Sequence, residues 1–117
     1  MILSEKDLEL YCGPKDAEVS FNYKSKLFNA TWDKMKSSIK PCPHCGSTKF
    51  RMKDTRTSDC RYIAVICSDC KSVGPRSKYQ VWTDLNDAWH LYDENTVDIT
   101  KEAVVGKAID LWNNTSN

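Results

Sequence analysis

Hydrophobic and polar positions along this chain follow two periods, and the switches between them mark its elements. Ser4 stands where a helix N-cap belongs. Asp7 sits three residues on, as in a capping box, and Leu3 and Leu8 are spaced for a hydrophobic staple. These residues predict a helix from Glu5 to Cys12, stopped by Gly13-Pro14. Val19, Phe21 and Tyr23 then alternate with Ser20 and Asn22, which predicts a strand. Trp32, Met35 and Ile39 suit a short helix or irregular packing. Thr48 to Lys53 reads as a second strand, residues 54–59 as a polar turn, and Cys60 to Cys67 (CRYIAVIC) as a third strand, so the pair forms a hairpin. After Gly74-Pro75 the period lengthens. Thr83 is placed to cap a helix over residues 84–92, with Leu85, Ala88, Trp89 and Tyr92 at i, i+3, i+4 and i+7. Thr100 is placed to cap another, with Ile99 stapling to Val104 and an apolar stripe of Val104, Val105, Ala108, Leu111 and Trp112.

These elements predict an α+β fold: a small β-hairpin domain with flanking helices and an N-terminal α/β appendage. The expected divisions are an appendage over residues 1–38, a ribbon over 39–78, and an acidic helical segment over 79–117 that packs on the ribbon. A length of 117 residues suits one small domain with an appendage. With 40% hydrophobic and 28% charged residues, the composition is that of a globular chain and not of a disordered one. No apolar run reaches bilayer length, and Met1-Ile2-Leu3 leads directly into Glu5, Lys6 and Asp7, unlike a signal peptide. The expected address is therefore cytoplasmic, with no membrane partner.

The formal net charge of +1 conceals a split. Residues 41–81 carry eight Lys and Arg against three acids, whereas residues 82–117 carry two Lys against seven acids. A basic segment of this kind can meet phosphate or an acidic protein face, or it can be neutralised by the acidic segment of its own chain.

Six cysteines in a chain with a cytoplasmic address point to metal or redox chemistry. Four form two C-x₂-C pairs, Cys42/Cys45 and Cys67/Cys70, separated by the 21 residues 46–66. A tight turn at each pair aims two sulfurs to one side, and the hairpin returns the second pair to the first. Four thiolates can then surround one tetrahedral Zn²⁺ at about 2.3 Å, with no position left for water or substrate. The expected cofactor is one structural zinc ion on Cys42, Cys45, Cys67 and Cys70. Two alternatives use the same residues. Disulfides need an oxidising compartment that nothing in the sequence specifies. A redox C-x₂-C normally follows a strand and opens a helix, whereas here one pair precedes a strand and the other ends one. Cys12 and Cys60 read as buried small apolar residues, His44 as pointing outward from its turn, and His90 as lying on a solvated helix face.

The segments Ile39-Lys-Pro-Cys-Pro-His-Cys-Gly-Ser47 and Val65-Ile-Cys-Ser-Asp-Cys-Lys-Ser-Val-Gly-Pro75, with Ala108-Ile-Asp-Leu-Trp-Asn113, resemble the restriction-alleviation protein Lar family of phage and prophage zinc ribbons. The resemblance covers residues 39–75 and 103–113. Residues 1–38 are additional, and residues 76–100 lengthen the link to the family's terminal helix, whose place the 84–92 segment is also able to take. The resemblance implies a small non-enzymatic modulator of type I restriction–modification, with the four cysteines as zinc ligands and no catalytic residues.

Two functions follow as expectations. The first is a phage-encoded module, acting in the bacterial host cytoplasm, that binds a host protein complex of restriction or another defence. Its acids at Asp84, Asp87, Asp93, Glu94, Asp98, Glu102 and Asp110 either mimic phosphates or serve helix N-termini. The second is nucleic-acid binding: Lys49, Arg51 and Lys53 alternate along one strand and so share a face, with Arg56, Arg61 and Arg76 extending it, unless these charges only guard a solvated edge. An enzyme is not expected, because there is no Gly-rich phosphate loop and no nucleophile–base set. Four Trp and five Tyr also suit a homodimer interface.

Overall fold

The computed structural model describes residues 1–12, 25–56 and 61–114. The elements are α1 (Glu5–Cys12), α2 (Asn29–Met35) running into a 3₁₀ turn (Lys36–Ser38), β1 (Phe50–Arg56), β2 (Arg61–Cys67), β3 (Ser77–Thr83), β4 (Trp89–Asp93) and α3 (Lys101–Asn114). The fold is mixed α+β. The four strands among the described residues form one antiparallel sheet in the order β1-β2-β3-β4. The strand expected at Val19–Tyr23 lies outside the described residues, as does Cys60.

Local chemistry explains most element boundaries. The Asp7 amide donates to Ser4 Oγ and the Ser4 amide to Asp7 Oδ2, both at 3.1 Å, so α1 opens with the expected capping box. The Ala103 amide donates to Thr100 Oγ1 at 3.1 Å and caps α3. β1 and β2 pair in unbroken register from Phe50↔Cys67 to Arg56↔Arg61, so β1 runs through residues expected to lie in the polar turn.

The helix expected over residues 84–92 is not formed. Those residues are the turn and second strand of a β3–β4 hairpin, with Val81 opposite Leu91 and Thr83 opposite Trp89. Leu85, expected on an apolar stripe, is fully exposed at the tip, while Val81 and Leu91 are buried. Asp84 decides the matter: its Oδ1 accepts from the Asn86 and Ala88 amides at 2.8 and 3.1 Å, and Asp87 takes φ +60°. An aspartate that holds amides two and four residues on competes with helix and favours a turn. The aromatic residues flanking it favour strand. Among the described residues of the segment 79–117, only α3 is an α-helix.

Strand register divides the sheet into two faces. Ile63, Val65, Cys67, Ser77, Tyr79, Val81 and Leu91 lie on the inner face and are buried. Val104, Val105, Ala108, Ile109 and Trp112 of α3 cover them, joined by Leu3, Tyr11, Leu27, Phe28 and Trp32. The rings of Phe28 and Tyr79 meet edge to face at 4.9 Å. The buried Ser77 hydroxyl donates to the Val104 carbonyl at 2.9 Å, which fixes β3 against α3. The Lys101 ammonium meets Asp7 Oδ1 at 2.6 Å and ties the start of α3 to α1.

Candidate metal centre

The two C-x₂-C pairs fold into turns of the same design. The Gly46 amide donates to the Cys42 carbonyl at 2.8 Å, and the Lys71 amide donates to the Cys67 carbonyl at 3.0 Å. The Cys42 and Cys67 amides each donate five residues ahead, to Ser47 and Ser72, at 2.9 Å. Gly46 and Lys71 both adopt left-handed backbone, at φ +73° and +65°. Glycine takes this conformation without steric cost. Lysine does not, and its Nζ donates to the Ser68 carbonyl at 2.7 Å across the turn. The Ser47 hydroxyl donates to Asp69 Oδ2 at 2.5 Å, so each turn also holds the other. Cys-x-x-Cys-x-Ser occurs twice in the sequence, and this repeat is the sequence signal for the shared geometry.

The turns bring four sulfurs together. Sγ of Cys42, Cys45, Cys67 and Cys70 all lie within 4.8 Å of one another, with Cys42–Cys70 and Cys45–Cys67 at 3.5 Å. A Zn–S bond of about 2.3 Å in a tetrahedron requires sulfurs about 3.8 Å apart, so this spacing suits one metal ion. Disulfide sulfurs lie at about 2.05 Å, so the cluster is not a disulfide pair. The crowded sulfurs titrate apart from one another. The Ser72 hydroxyl and amide, beside the sulfurs of Cys42 and Cys45, lower the Cys70 thiol to about 6. The Ser47 amide favours the Cys45 thiolate, but desolvation and the other three sulfurs outweigh it and push that thiol up to about 12. Four sulfurs this close cannot all ionise without a cation among them. His44 is exposed and is not among the clustered ligands, as expected.

A second set of contacts holds the first turn to α3. Trp112 Nε1 donates to the Lys40 carbonyl at 3.1 Å, Asn113 Oδ1 accepts from the Lys40 amide at 2.8 Å, and Asn113 Nδ2 donates to the Ser38 carbonyl at 3.1 Å. The Trp112 ring also meets Phe50 edge to face at 5.4 Å. It lies so near Gly74 that a Cβ there would come within 2.8 Å of Trp112 Cε3. The Trp-Asn pair of α3, the approach to Cys42 and the Gly-Pro after Cys70 therefore form one packed unit.

No family profile, curated protein or solved structure matches this chain.

The basic residues divide. Lys49, Arg51 and Lys53 are exposed on the outer sheet face, as alternation requires. Arg61 pairs with Tyr79 and lies on the inner face, half-buried, with its guanidinium 5.9 Å from the Tyr11 ring centre. It does not extend the row of Lys49, Arg51 and Lys53. Arg56 occupies the register position opposite Arg61. His90, expected on a solvated helix face, lies on β4 instead. Its Nε2 meets Asp84 at 2.7 Å and its Nδ1 meets Asp98 at 3.2 Å. Several acids of the 82–117 segment have local work: Asp84 and Asp93 cap turns, and Glu94 pairs with Lys107 at 3.1 Å. Among the described residues, no helix is long and apolar enough to cross a membrane.

Proposed function

We propose that this chain is a zinc-ribbon protein of the restriction-alleviation type: a non-enzymatic phage module that binds a host protein complex of restriction or another defence in the bacterial cytoplasm. We infer that the metal is Zn²⁺, since a closed set of four clustered thiolates suits a structural zinc site. One observation carries the reading. The three segments that carry the family resemblance, far apart in sequence, pack as a single unit around the cysteine cluster through Trp112, Asn113 and Gly74. A metal held by all four thiolates would keep no open position for a substrate, so it would contribute rigidity and the protein would act through its surfaces. The exposed Leu85 and Trp89 on and beside the acidic β3–β4 turn offer a contact for the partner.

The test is expression of the chain in bacteria carrying a type I restriction system, scored by plating of unmodified phage. A tagged copy is also captured from nuclease-treated lysate. Relief of restriction, together with a stoichiometric restriction subunit that survives nuclease, is the expected result. Fully metallated protein that changes no plating efficiency and retains no such subunit would refute the proposal.

A further inference from the structure

The outer face of the sheet combines cations and aromatic rings in a way that the protein-binding reading leaves unused. Register places Arg51 opposite Ile66, Lys53 opposite Ala64 and Tyr62 opposite Lys78, all on this face, and Lys49 continues the alternation. Lys49, Arg51, Lys53, Arg76 and Lys78 are all exposed, and none is ion-paired among the described residues. The Arg76 guanidinium lies over the Tyr62 ring at 4.6 Å, a cation–π contact that holds that cation at the sheet surface. Four residues beyond Lys78 on the same face stands Trp82, 41% exposed, its ring supported by Tyr92 at 5.4 Å. The carboxylates around the face have other partners: Asp54 lies on the inner face bonded to the Tyr79 hydroxyl, Asp69 holds Ser47, and Asp84 and Asp98 hold His90, which stands opposite Trp82.

We propose that this face binds single-stranded nucleic acid, with the five cations tracking phosphates and Trp82 stacking on a base. The inference goes beyond the protein-binding reading and does not depend on it. Charge complementarity selects a polyanion. Cations at alternate positions of an extended strand are about 6.8 Å apart, comparable to successive phosphates along a stretched single strand. Trp82 selects unpaired bases over a duplex, because a ring on a sheet can stack only where a base face is open.

The test is fluorescence anisotropy of the zinc-loaded full chain with labelled oligo-dT, and with a duplex of equal length. If five phosphates are neutralised, the slope of log K against log salt is about −3.5, so affinity falls about 100-fold between 50 and 200 mM salt. K49Q/R51Q/K53Q reduces that fall to about sevenfold, by the same proportionality. Trp82→Ala weakens single-strand binding about tenfold and leaves the slope unchanged. Lys34→Gln, on the exposed side of α2, changes neither. Circular dichroism and metal content confirm that each variant is folded. Absence of salt-dependent binding, equal binding by the triple variant, or preference for duplex would each overturn the proposal. Plating and capture results test only the protein partner, so the two readings fail separately.

Discussion

Replacing Gly74 with alanine tests whether α3 organises the metal turns. Gly74 has ordinary backbone torsions, so the substitution carries no intrinsic strain, and any cost must come from contact. The added methyl would lie 2.8 Å from Trp112 Cε3, 3.7 Å from Trp112 Cβ and 3.5 Å from the Val65 carbonyl. Ordinary carbon contacts begin at about 3.5 Å, so the ring or the strand must move by about 0.7 Å. Trp112 is 3% exposed and is pinned by Phe50 and by its bond to Lys40, so it has little room. Overpacking of this kind costs about 1–3 kcal/mol. Urea unfolding of the zinc-loaded protein should show a lowered midpoint with an unchanged slope. A double-mutant cycle isolates the cause: in a Trp112→Leu background, which lacks the obstructing ring, Gly74→Ala should cost less than about 0.5 kcal/mol. An equal cost in both backgrounds, or no cost in either, would refute the packing argument.

Metal removal should act locally. Chelation of purified reduced protein should alter circular dichroism and free the turns at Cys42–Gly46 and Cys67–Lys71, whereas a cobalt-substituted sample should show thiolate charge-transfer absorption. Cys70→Ser should lower zinc affinity by more than tenfold in competition with a colorimetric chelator. Asp7→Asn should destabilise the protein by about 1–2 kcal/mol at neutral pH, by weakening a charge-assisted bond to Lys101. Desolvation opposes ionisation of Asp7, but its bonds to Lys101 and Ser4 prevail and hold its carboxyl below the usual value. Its contribution is therefore complete above that usual value and lost as pH falls through the depressed one, so wild type and variant should converge in acid. Thr100→Ala should cost about 1 kcal/mol by thermal or urea unfolding, through loss of the α3 cap.

What the sequence disclosed was local. Ser4 with Asp7, Thr100 with Ala103, and the two cysteine pairs each announce a structure within a few residues, and each appears as expected. The segment at 84–92 misled because Leu85, Ala88, Trp89 and Tyr92 match a helical period by coincidence, while Asp84 and the flanking aromatics favour a turn between strands. From its neighbourhood in the chain, Arg61 reads as an extension of the basic face. Its actual face depends on strand parity, which is fixed only once the register of β1, β2 and β3 is known. The clamp of Trp112 and Asn113 on Lys40 spans more than seventy residues. Its members are recognisable in the sequence, but nothing local indicates that they touch.

Between the two hairpins, β2 and β3 pair over three residues, Arg61–Ile63 against Ser77–Tyr79, and a single bridge of Ile66 with Val73 lies beyond them. So short a seam would part easily under shear, yet α3 lies across both β2 and β3 and acts as a splint. The molecule thus resembles two hinged plates bolted by one rod. Thermal agitation that loosens the rod should let the plates swing before either loses its own ladder of backbone bonds. Amides at the seam should therefore exchange with deuterated solvent sooner than those in the middle of β1–β2.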